Sequence, residues 1–378
     1  MDVLKSGSVA LIVTSPPYPM IEMWDELFVQ HSTPTLSALK AGHGMEAFEL
    51  MHRLLDPVWR EVYRVLKPGG IACINIGDAT RTLGDDFILY PNHARILNAM
   101  LKIGFTPLPE ILWRKQTNAP NKFMGSGMMP PGAYVTLEHE HILILRKGGK
   151  REFPGDDDKQ NRRASAFFWE ERNHWFSDVW MDLKGTTQKL NDNDARHRSA
   201  AYPFEVPYRL INMFSVKGDI VLDPFLGTGA TMAAAMAAGR NSAGFELFTD
   251  FLPVILSRLD TLIPFSNERI ESRLAAHLDF IRNRIETKGP LKHRNAPYGF
   301  PVVTNQETLL LINEMRAIRK VNDTTISVTY DDRPQPAFVG SWENSAVKTP
   351  PLPAGLPRSR KKKATNAPKQ VQQKFLDI

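Results

Sequence analysis

Short apolar runs alternate along the chain with longer segments in which apolar residues recur every three or four positions. The runs at 9–13 and 71–76 are rich in β-branched residues, which is typical of strands buried in a parallel sheet. Between them, residues 45–66 have helical spacing and end at a Lys-Pro-Gly-Gly sequence that stops a helix. This alternation predicts an α/β domain with a mostly parallel sheet and helices on both faces.

The same pattern continues to about residue 250, with one interruption. It predicts strands at 110–113, 136–145, 219–223 and 242–246, and helices at 90–103, 203–214 and 230–238. The interruption, at 150–200, is polar and charged with scattered aromatic residues. After residue 250 the pattern is mainly helical to 320. A Pro-rich and then basic stretch from 331 onward predicts an unfolded tail.

The net charge of +6 is concentrated at the end of the chain. Residues 358–378 contain seven basic side chains and one acidic one, so this segment carries the whole excess. The rest of the chain is balanced, and a folded domain that holds nucleic acid must do so with local patches. The basic segment itself is typical of a solvated tail or of a loose nucleic-acid arm.

Cysteine content and hydropathy restrict the class of protein further. The single cysteine, Cys73, excludes an intramolecular disulfide and a Cys-rich zinc site, and no apolar run approaches the roughly 20 residues that span a bilayer. We therefore expect a cytoplasmic protein without membrane contact. His139 and His141 flank Glu140 without further ligands nearby in the sequence, so we interpret them as structural and expect no metal.

A glycine-rich loop, Asp223-Pro-Phe-Leu-Gly-Thr-Gly229, lies between a predicted strand and the helix at 230–238. Such a turn brings backbone close to a ligand and points the N–H groups of a helix start at it. Met232 stands where the dinucleotide fingerprint has its third glycine, so a pyrophosphate ligand is not favoured. Glu246, at the end of the next strand, is placed to accept hydrogen bonds from the two hydroxyls of a ribose. These features predict a site for an adenosine-type cofactor without phosphates.

A second loop, Ser15-Pro-Pro-Tyr18, follows the first predicted strand directly. Its prolines end the strand in a rigid loop, and rigidity alone is one explanation for them. The alternative is a binding site for a flipped base, in which Tyr18 offers a stacking face while Ser15 Oγ and the Pro16 carbonyl accept hydrogen bonds from an exocyclic NH₂ group. Pro17 restricts Pro16 to an extended conformation and holds that carbonyl outward.

Together the two loops resemble the motif pair of the amino-group DNA methyltransferases, which modify N4 of cytosine or N6 of adenine. The order, with the catalytic motif first, is similar to that of their β class, which usually belongs to restriction–modification systems. Further segments resemble the family and extend the similarity over about residues 3 to 260: Arg64–Gly70, Ile111–Lys115, Thr136–Leu143 and Tyr202–Pro207. The resemblance implies a Rossmann-like S-adenosylmethionine-dependent methyltransferase fold with a circularly permuted motif order.

The resemblance also assigns roles to residues. It implies a catalytic loop of Ser15, Pro16, Pro17 and Tyr18. It implies that S-adenosylmethionine is bound by Pro203, Phe204, Asp223, Pro224, Phe225, Gly227, Thr228, Gly229 and Glu246. It divides the chain into a catalytic half (1–149), a target-recognition region (150–200), a cofactor-binding half (201–262), a mainly helical extension (263–330) and the tail (331–378). The candidates for contacts with phosphate and guanine are Lys115, Arg162, Arg163, Arg172, Lys184, Lys189, Arg196 and Arg198.

The implied reaction is direct methyl transfer to an exocyclic amine of a base flipped out of duplex DNA. Methylation at C5 of cytosine needs a cysteine after a proline, whereas Cys73 follows Ala72 inside a predicted strand. A serine at the first position of the catalytic loop is more typical of enzymes that methylate N4 of cytosine, and N6-adenine methylation is the alternative. A catalytically silent DNA-binding subunit is a different class of interpretation. Methylation of RNA or of a protein amide is disfavoured by the motif order.

The resemblance implies partners as well. We expect double-stranded DNA as the substrate, a cognate restriction endonuclease acting on the same site, and a monomer or homodimer.

Overall fold

A ten-stranded sheet organises the chain, with the strand order β14-β15-β16-β11-β10-β1-β2-β8-β5-β9. The computed structural model describes residues 1–84, 86–115, 124–184, 202–342 and 370–377. The strands are β1 Val9–Thr14, β2 Leu66–Ile76, β3 Ala79–Leu83, β4 Asp86–Tyr90, β5 Phe105–Arg114, β6 Met124–Gly125, β7 Ala133–Tyr134, β8 His139–Lys147, β9 Val179–Trp180, β10 Ile220–Asp223, β11 Asn241–Glu246, β12 His293–Arg294, β13 Pro301–Val302, β14 Met315–Asn322, β15 Thr325–Tyr330 and β16 Gln370–Asp377. The helices, numbered in order, are α1 Asp25–His31, α2 Thr33–Lys40, α3 Gly44–Val65, α4 Asn92–Ile103, α5 Asp156–Ala164, α6 Trp169–Trp175, α7 Glu205–Phe214, α8 Ala230–Ala237 and α9 Phe251–Lys288.

The centre of the sheet is parallel. Strand β1 pairs with β10 on one side and β2 on the other, and β10 pairs with β11, all in the same direction. Strand β8 is antiparallel to both β2 and β5, so β5 has the direction of β1. The carboxyl ends of β1, β2, β5, β10 and β11 therefore meet at one edge of the sheet. We call it the carboxyl edge and the opposite one the amino edge.

Helices cover both faces of this sheet, as the sequence predicts. Successive side chains of β1 point to opposite faces, so Val13 packs in one apolar core with α7 and α8, whereas Ile12 packs in another with α3. Val221 and Leu222 of β10 divide between the same two cores. The α/β class and the mostly parallel central sheet are confirmed. Within the described residues, no helix is both long and apolar enough to span a bilayer.

A third apolar core lies outside the sheet, under the second half of α9. It buries Ile270, Leu274 and Ile281 of that helix against Tyr298 and Phe300 of the following loops. Phe168, just before α6, inserts into the same core and stacks on His277 at 3.9 Å between ring centroids. This core attaches the chain that follows residue 262 to the segment that precedes α6.

Arg273 of α9 holds these parts together through a buried ion pair. It donates two hydrogen bonds to the Glu171 carboxylate, at 2.6 and 2.8 Å, and a third to the Tyr208 hydroxyl at 2.8 Å. The side chains of Arg273 and Glu171 are 4% and 11% exposed. Removing one partner of such a pair leaves the other charge buried and uncompensated.

We therefore expect Arg273→Leu to lower the free energy of unfolding by about 3–5 kcal/mol, measured by urea denaturation. The double variant Arg273→Leu/Glu171→Leu removes both charges and is expected to recover a large part of that loss. A double variant as unstable as the single one would show that lost packing, rather than the stranded carboxylate, is the cause.

The C-terminal part of the chain differs from its sequence-based prediction. Helix α9 ends at Lys288 before Gly289, and the predicted helical extension continues instead into loops and the antiparallel hairpin β14–β15. Residues 325–330 alternate β-branched and polar side chains, which favours a strand once a partner is present. In the tail, 370–377 forms β16 between β11 and β15. Those residues are folded because the edge of β11 offers unpaired backbone groups, and the rest of the tail beyond 342 lies outside the described residues.

Candidate active site

A cavity of about 460 Å³ opens at the carboxyl edge, where β1, β10 and β11 end. Its lining includes Ser15, Pro16 and Pro17 together with residues 223–227 of the glycine-rich loop and Glu246. The two loops that the sequence singles out are thus brought together although they are far apart in the chain. The volume is in the range of small-molecule sites. The remaining lining is largely apolar and includes Trp24, Phe28, Leu54, Val58, Phe225, Phe245, Phe248 and Phe251.

Asp223, at the carboxyl end of β10, joins the two halves of the site. Its Oδ1 accepts from Thr14 Oγ1 at 2.5 Å, 209 residues away in the chain, and from the Phe225 N–H at 3.0 Å. Its Oδ2 accepts from Thr231 Oγ1 at 2.6 Å. The side chain is 2% exposed, and this burial raises the pKa of Asp223 to about 7 in spite of its donors.

Glu246 is held by the backbone of the neighbouring loops. The Gly227 N–H donates to Oε2 at 2.7 Å and the Phe248 N–H to Oε1 at 2.9 Å. Gly227 and Gly229 adopt φ of 53° and 78°, which other residues rarely do, and this left-handed turn is what aims the Gly227 N–H at the carboxylate. Each carboxylate oxygen retains acceptor capacity for a ligand hydroxyl. Burial raises the pKa of Glu246, and the two N–H groups oppose that rise.

On the catalytic-loop side, the Tyr18 hydroxyl is the centre of a buried hydrogen-bond network. Ser15 Oγ lies 3.1 Å from it, Asn75 Nδ2 2.9 Å, and Glu140 Oε2 3.0 Å. Gly77 permits this position, because a Cβ there would lie 3.0 Å from Tyr18 Cε2. The Tyr18 side chain is only 8% exposed. Stacking of a base on its ring stays a prediction, since little of the ring faces the solvent.

The far end of the catalytic loop is held by Asn92, the first residue of α4. Its fully buried amide donates to the carbonyls of Pro19 and Gly77, both at 3.0 Å. His52 Nε2 lies 3.0 Å from Asn92 Oδ1 and therefore must carry the proton of the neutral ring. Burial lowers the pKa of His52 to about 4. The neutral histidine thus fixes the orientation of the amide that holds the loop.

This arrangement predicts a loss of stability in acid. The pKa of His52 is about 4 in the folded protein and near 6.5 in the unfolded chain, so between these values the unfolded chain binds more protons. Stability from this group is present above pH 6.5 and falls as the pH decreases towards 4, by up to about 3 kcal/mol. His52→Gln keeps a donor for Asn92 without titrating. Urea denaturation between pH 4 and 7 is expected to show a flatter profile for this variant, and an unchanged profile would contradict the assignment.

The segment before α7 contributes to the cavity through Tyr202, the first residue of the Tyr202–Pro207 segment that resembles the family, although the cofactor-binding residues implied by the resemblance do not include it. Tyr202 lines the cavity and lies 2.5 Å from Thr231 Oγ1 through its hydroxyl. Pro203 and Phe204 are not among the described residues that line the cavity. The Phe204 ring packs on Tyr208 and Phe265 instead. Thr228 is fully buried within the turn of the glycine-rich loop.

The candidate DNA contacts divide between the two edges of the sheet. Lys115 follows the end of β5, and Lys184 follows β9, which is parallel to β5, so both lie at the carboxyl edge. Helix α5 contacts Lys217, just before β10 begins, through Asn161 at 2.9 Å. Arg162 and Arg163 of α5 are therefore at the amino edge, away from the cavity.

Arg172 lies on the amino-edge side as well. Its guanidinium is 5.7 Å from the Phe176 ring, which packs on Phe214 at the end of α7, just before β10. The remaining candidates, Lys189, Arg196 and Arg198, lie outside the described residues. Only Lys115 and Lys184 among the described candidates therefore share an edge with the catalytic loop.

A cluster of Asp78, His93 and His141 also lies at the carboxyl edge, with ligand-type atoms within 4.8 Å of one another. His93 Nδ1 is 2.8 Å from the Asp78 carboxylate, and this hydrogen bond raises the pKa of His93. The His93 and His141 rings stack at 3.8 Å with an angle of 10°, so their nitrogen lone pairs lie in parallel planes and do not converge on one point. The geometry is that of an ion pair with a stacked histidine, and the absence of a metal stays a prediction.

Sequence reasoning missed the residues that support the catalytic loop. Asn75, Asn92 and Glu140 are polar residues in or beside buried strands and helices, and their roles arise from contacts between distant elements. Glu140 is a buried carboxylate on β8 between the exposed His139 and the buried His141, and its place in a predicted strand was the one available signal.

Comparison with known proteins agrees with this geometry. Residues 9–256 match the family model described as DNA methylase, which covers N6- and N4-directed enzymes. The chain is 50% identical over 333 residues to the Type II methyltransferase M.MthZI of Methanothermobacter thermautotrophicus, covering 88% of this chain and 92% of the relative. It is 50% identical over 270 residues to the Type II methyltransferase M.MjaI of Methanocaldococcus jannaschii, covering 68% of this chain and 88% of the relative.

A solved structure is similar to most of the chain as well. A putative DNA modification methylase of Thermus thermophilus, crystallised with S-adenosyl-L-methionine, superposes with a TM-score of 0.54 at 32% identity, covering 70% of this chain and 90% of that one. The aligned fold is thus one that accommodates this cofactor.

Proposed function

The chain belongs to the DNA methylase family of N6- and N4-directed amino-methyltransferases, and from this premise we propose that it methylates N4 of cytosine in duplex DNA. It has the Rossmann-like fold of the S-adenosylmethionine-dependent enzymes and uses that cofactor. It is of the Type II restriction–modification kind. The choice of cytosine N4, the roles of individual residues and the partner endonuclease are the proposed part.

The observation that carries the proposal is that Ser15 and Glu246 line the same cavity. Serine at this position is more typical of N4-cytosine enzymes, and its oxygen is an acceptor for an N–H of the exocyclic amine. Cys73 supports direct transfer, because it is fully buried in β2 and burial raises its pKa well above the ordinary value. A thiol in that position cannot form the covalent intermediate that C5 methylation requires.

The cofactor fits the groups present in the cavity. The Glu246 carboxylate suits ribose hydroxyls, and the aromatic side chains around it suit an adenine ring. We propose that Asp223, Phe225, Gly227 and Glu246 hold the cofactor, which supplies an electrophilic methyl group on its sulfonium when bound.

The chain's own residues act on the base. An exocyclic amine is a poor nucleophile because its lone pair is delocalised into the ring. Hydrogen bonds from its two N–H groups to Ser15 Oγ and the Pro16 carbonyl favour a pyramidal nitrogen and direct the lone pair at the methyl group. The rigid prolines fix both acceptors in advance, so positioning lowers much of the barrier.

Nucleoside mass spectrometry tests the proposal. Unmethylated DNA is incubated with the protein and S-adenosylmethionine, digested and analysed, and we expect N4-methyldeoxycytidine. Methyladenine without methylcytosine would contradict the cytosine assignment and support the N6 alternative. Cofactor binding by calorimetry without methylation of any DNA would instead support a silent DNA-binding subunit.

The recognition of DNA is proposed to involve Lys115 and Lys184 at the carboxyl edge, with part of the 150–200 region. A cognate endonuclease that cuts the same site is the expected partner, since the relatives M.MthZI and M.MjaI are Type II methyltransferases.

A further inference from the structure

Four side chains connect the catalytic serine to the surface of the carboxyl edge. Ser15 Oγ is 3.1 Å from the Tyr18 hydroxyl, which is 3.0 Å from Glu140 Oε2. Lys115 Nζ is 2.9 Å from the other oxygen of that carboxylate, Oε1. The four residues come from the loop after β1, from β8 and from the end of β5. We refer to them, in this order, as the serine–lysine chain.

The direction of each hydrogen bond in this chain is fixed by chemistry. A carboxylate paired with an ammonium group only accepts, so the Tyr18 hydroxyl must donate its single proton to Glu140. Burial and the charge of Glu140 raise the pKa of Tyr18 well above its ordinary value, so the phenol keeps this proton. The Tyr18 oxygen is then left with lone pairs only, and Ser15 must donate to it.

Asn75 reinforces the same direction. Its Nδ2 donates to Glu140 Oε2 at 2.7 Å and to the Tyr18 hydroxyl at 2.9 Å. The opposite orientation of the amide would place its oxygen against the carboxylate, and two acceptors repel each other. The Tyr18 hydroxyl therefore accepts one hydrogen bond from Asn75 and one from Ser15, and it donates one to Glu140.

We propose that Glu140 is a positioning residue that makes Ser15 an obligate hydrogen-bond acceptor towards the cavity, and thereby selects bases with an amino group over those with a carbonyl. Because the Ser15 hydroxyl donates its one hydrogen bond to the Tyr18 oxygen, Ser15 Oγ presents only lone pairs to the incoming base. An exocyclic NH₂ satisfies them, whereas the carbonyl of uracil, thymine or hypoxanthine meets them with a second acceptor. This inference rests on the proposed amine methylation but holds for cytosine and adenine alike.

Glu140→Gln tests the direction of the chain, because it is nearly isosteric and introduces an N–H that can donate to Tyr18. The Tyr18 hydroxyl can then rotate to donate its hydrogen bond to Ser15 Oγ, and the Ser15 hydroxyl can rotate to donate into the cavity. The methylated base and its site are first mapped with the wild-type protein. Duplexes are then made in which this base is intact or is replaced by its carbonyl counterpart, uracil for cytosine or hypoxanthine for adenine, in each case opposite an abasic site so that neither base is paired before it is flipped.

For the wild type we expect the carbonyl duplex to bind at least about 10-fold more weakly than the intact one in the presence of S-adenosylhomocysteine, since a buried acceptor is left unpaired. Glu140→Gln is expected to reduce this ratio to about 3-fold or less and to lower kcat about 10–100-fold, with KM for the cofactor unchanged. Glu140→Asp, which only accepts, is expected to retain discrimination.

The matched control is Glu138→Gln. Glu138 lies two residues earlier and its carboxylate pairs with the half-exposed Arg114, so the variant loses a carboxylate and keeps the backbone carbonyl that accepts from the Lys115 N–H. It is expected to behave as the wild type. Unchanged discrimination in Glu140→Gln, with lowered kcat, would overturn the inference and leave a structural role only. If the methylated base proves to be adenine, only the proposal of cytosine as the target is overturned. The hypoxanthine duplex then tests the inference about Glu140.

Discussion

Replacing Ser15 by alanine is expected to lower kcat for methyl transfer by about 10²–10³-fold, the cost typical of removing one positioned hydrogen-bond partner of a transition state. The acceptor for one N–H of the target amine is lost, while the glycine-rich loop and Glu246 are unchanged. Binding of S-adenosylmethionine, measured by calorimetry, is therefore expected to stay within about 3-fold of the wild type, well below 1.4 kcal/mol. Single-turnover methylation of the mapped duplex measures the chemical step.

Ser8→Ala serves as the control for this variant. Ser8 lies at the other end of β1, where its hydroxyl donates to the Lys5 carbonyl, so its loss is expected to leave kcat unchanged. Equal losses of cofactor affinity and kcat in Ser15→Ala would place the serine in the cofactor site instead. An unchanged kcat would exclude a role for its hydroxyl in the reaction.

The second large effect concerns Asp223. Asp223→Ala is expected to abolish measurable cofactor binding and to lower the free energy of unfolding by about 3 kcal/mol or more, since it leaves buried donors without an acceptor. Those donors are the Thr14 and Thr231 hydroxyls and the Phe225 N–H. The hydrogen bonds through which the Asp223 carboxylate joins the end of β1 to the glycine-rich loop would be lost. Calorimetry and urea denaturation measure the two effects.

Asp223→Asn separates charge from hydrogen bonding. It retains an acceptor oxygen, and the pKa of about 7 means that the native carboxyl is already largely neutral below that pH. The folded protein binds the proton more tightly than the unfolded chain, so this group's contribution falls as the pH rises from about 4 to 7. We expect the asparagine variant to bind the cofactor near pH 6 and to lose this pH dependence. A variant as defective as alanine would show that the charge itself is needed.

The local sequence was sufficient for the loops but not for their supports. The strand before Ser15 and the glycines before α8 each carry their own signal, because proline restricts the backbone wherever it occurs and glycine permits a positive φ that other residues rarely adopt. Glu140 and Asn92 act only through partners many residues away, and no local pattern identifies such a contact. Their positive charge makes Arg162, Arg163 and Arg172 candidates for DNA binding, but the fold places all three at the amino edge, away from the cavity. Which edge a basic residue reaches depends on topology rather than on composition.

The position of β1 in the sheet has a consequence for synthesis of the protein. It precedes the other described strands along the chain, yet it lies in the centre and pairs with β10, which begins at Ile220. At roughly 5–20 residues per second, the ribosome takes about 10–45 s to deliver that partner. During this interval the edge of the apolar strand Val9–Thr14 that later pairs with β10 stays unpaired, the kind of surface that associates with other chains. We therefore expect the nascent chain to be prone to association until β10 is made, and the cofactor cavity cannot be complete before Glu246 has emerged.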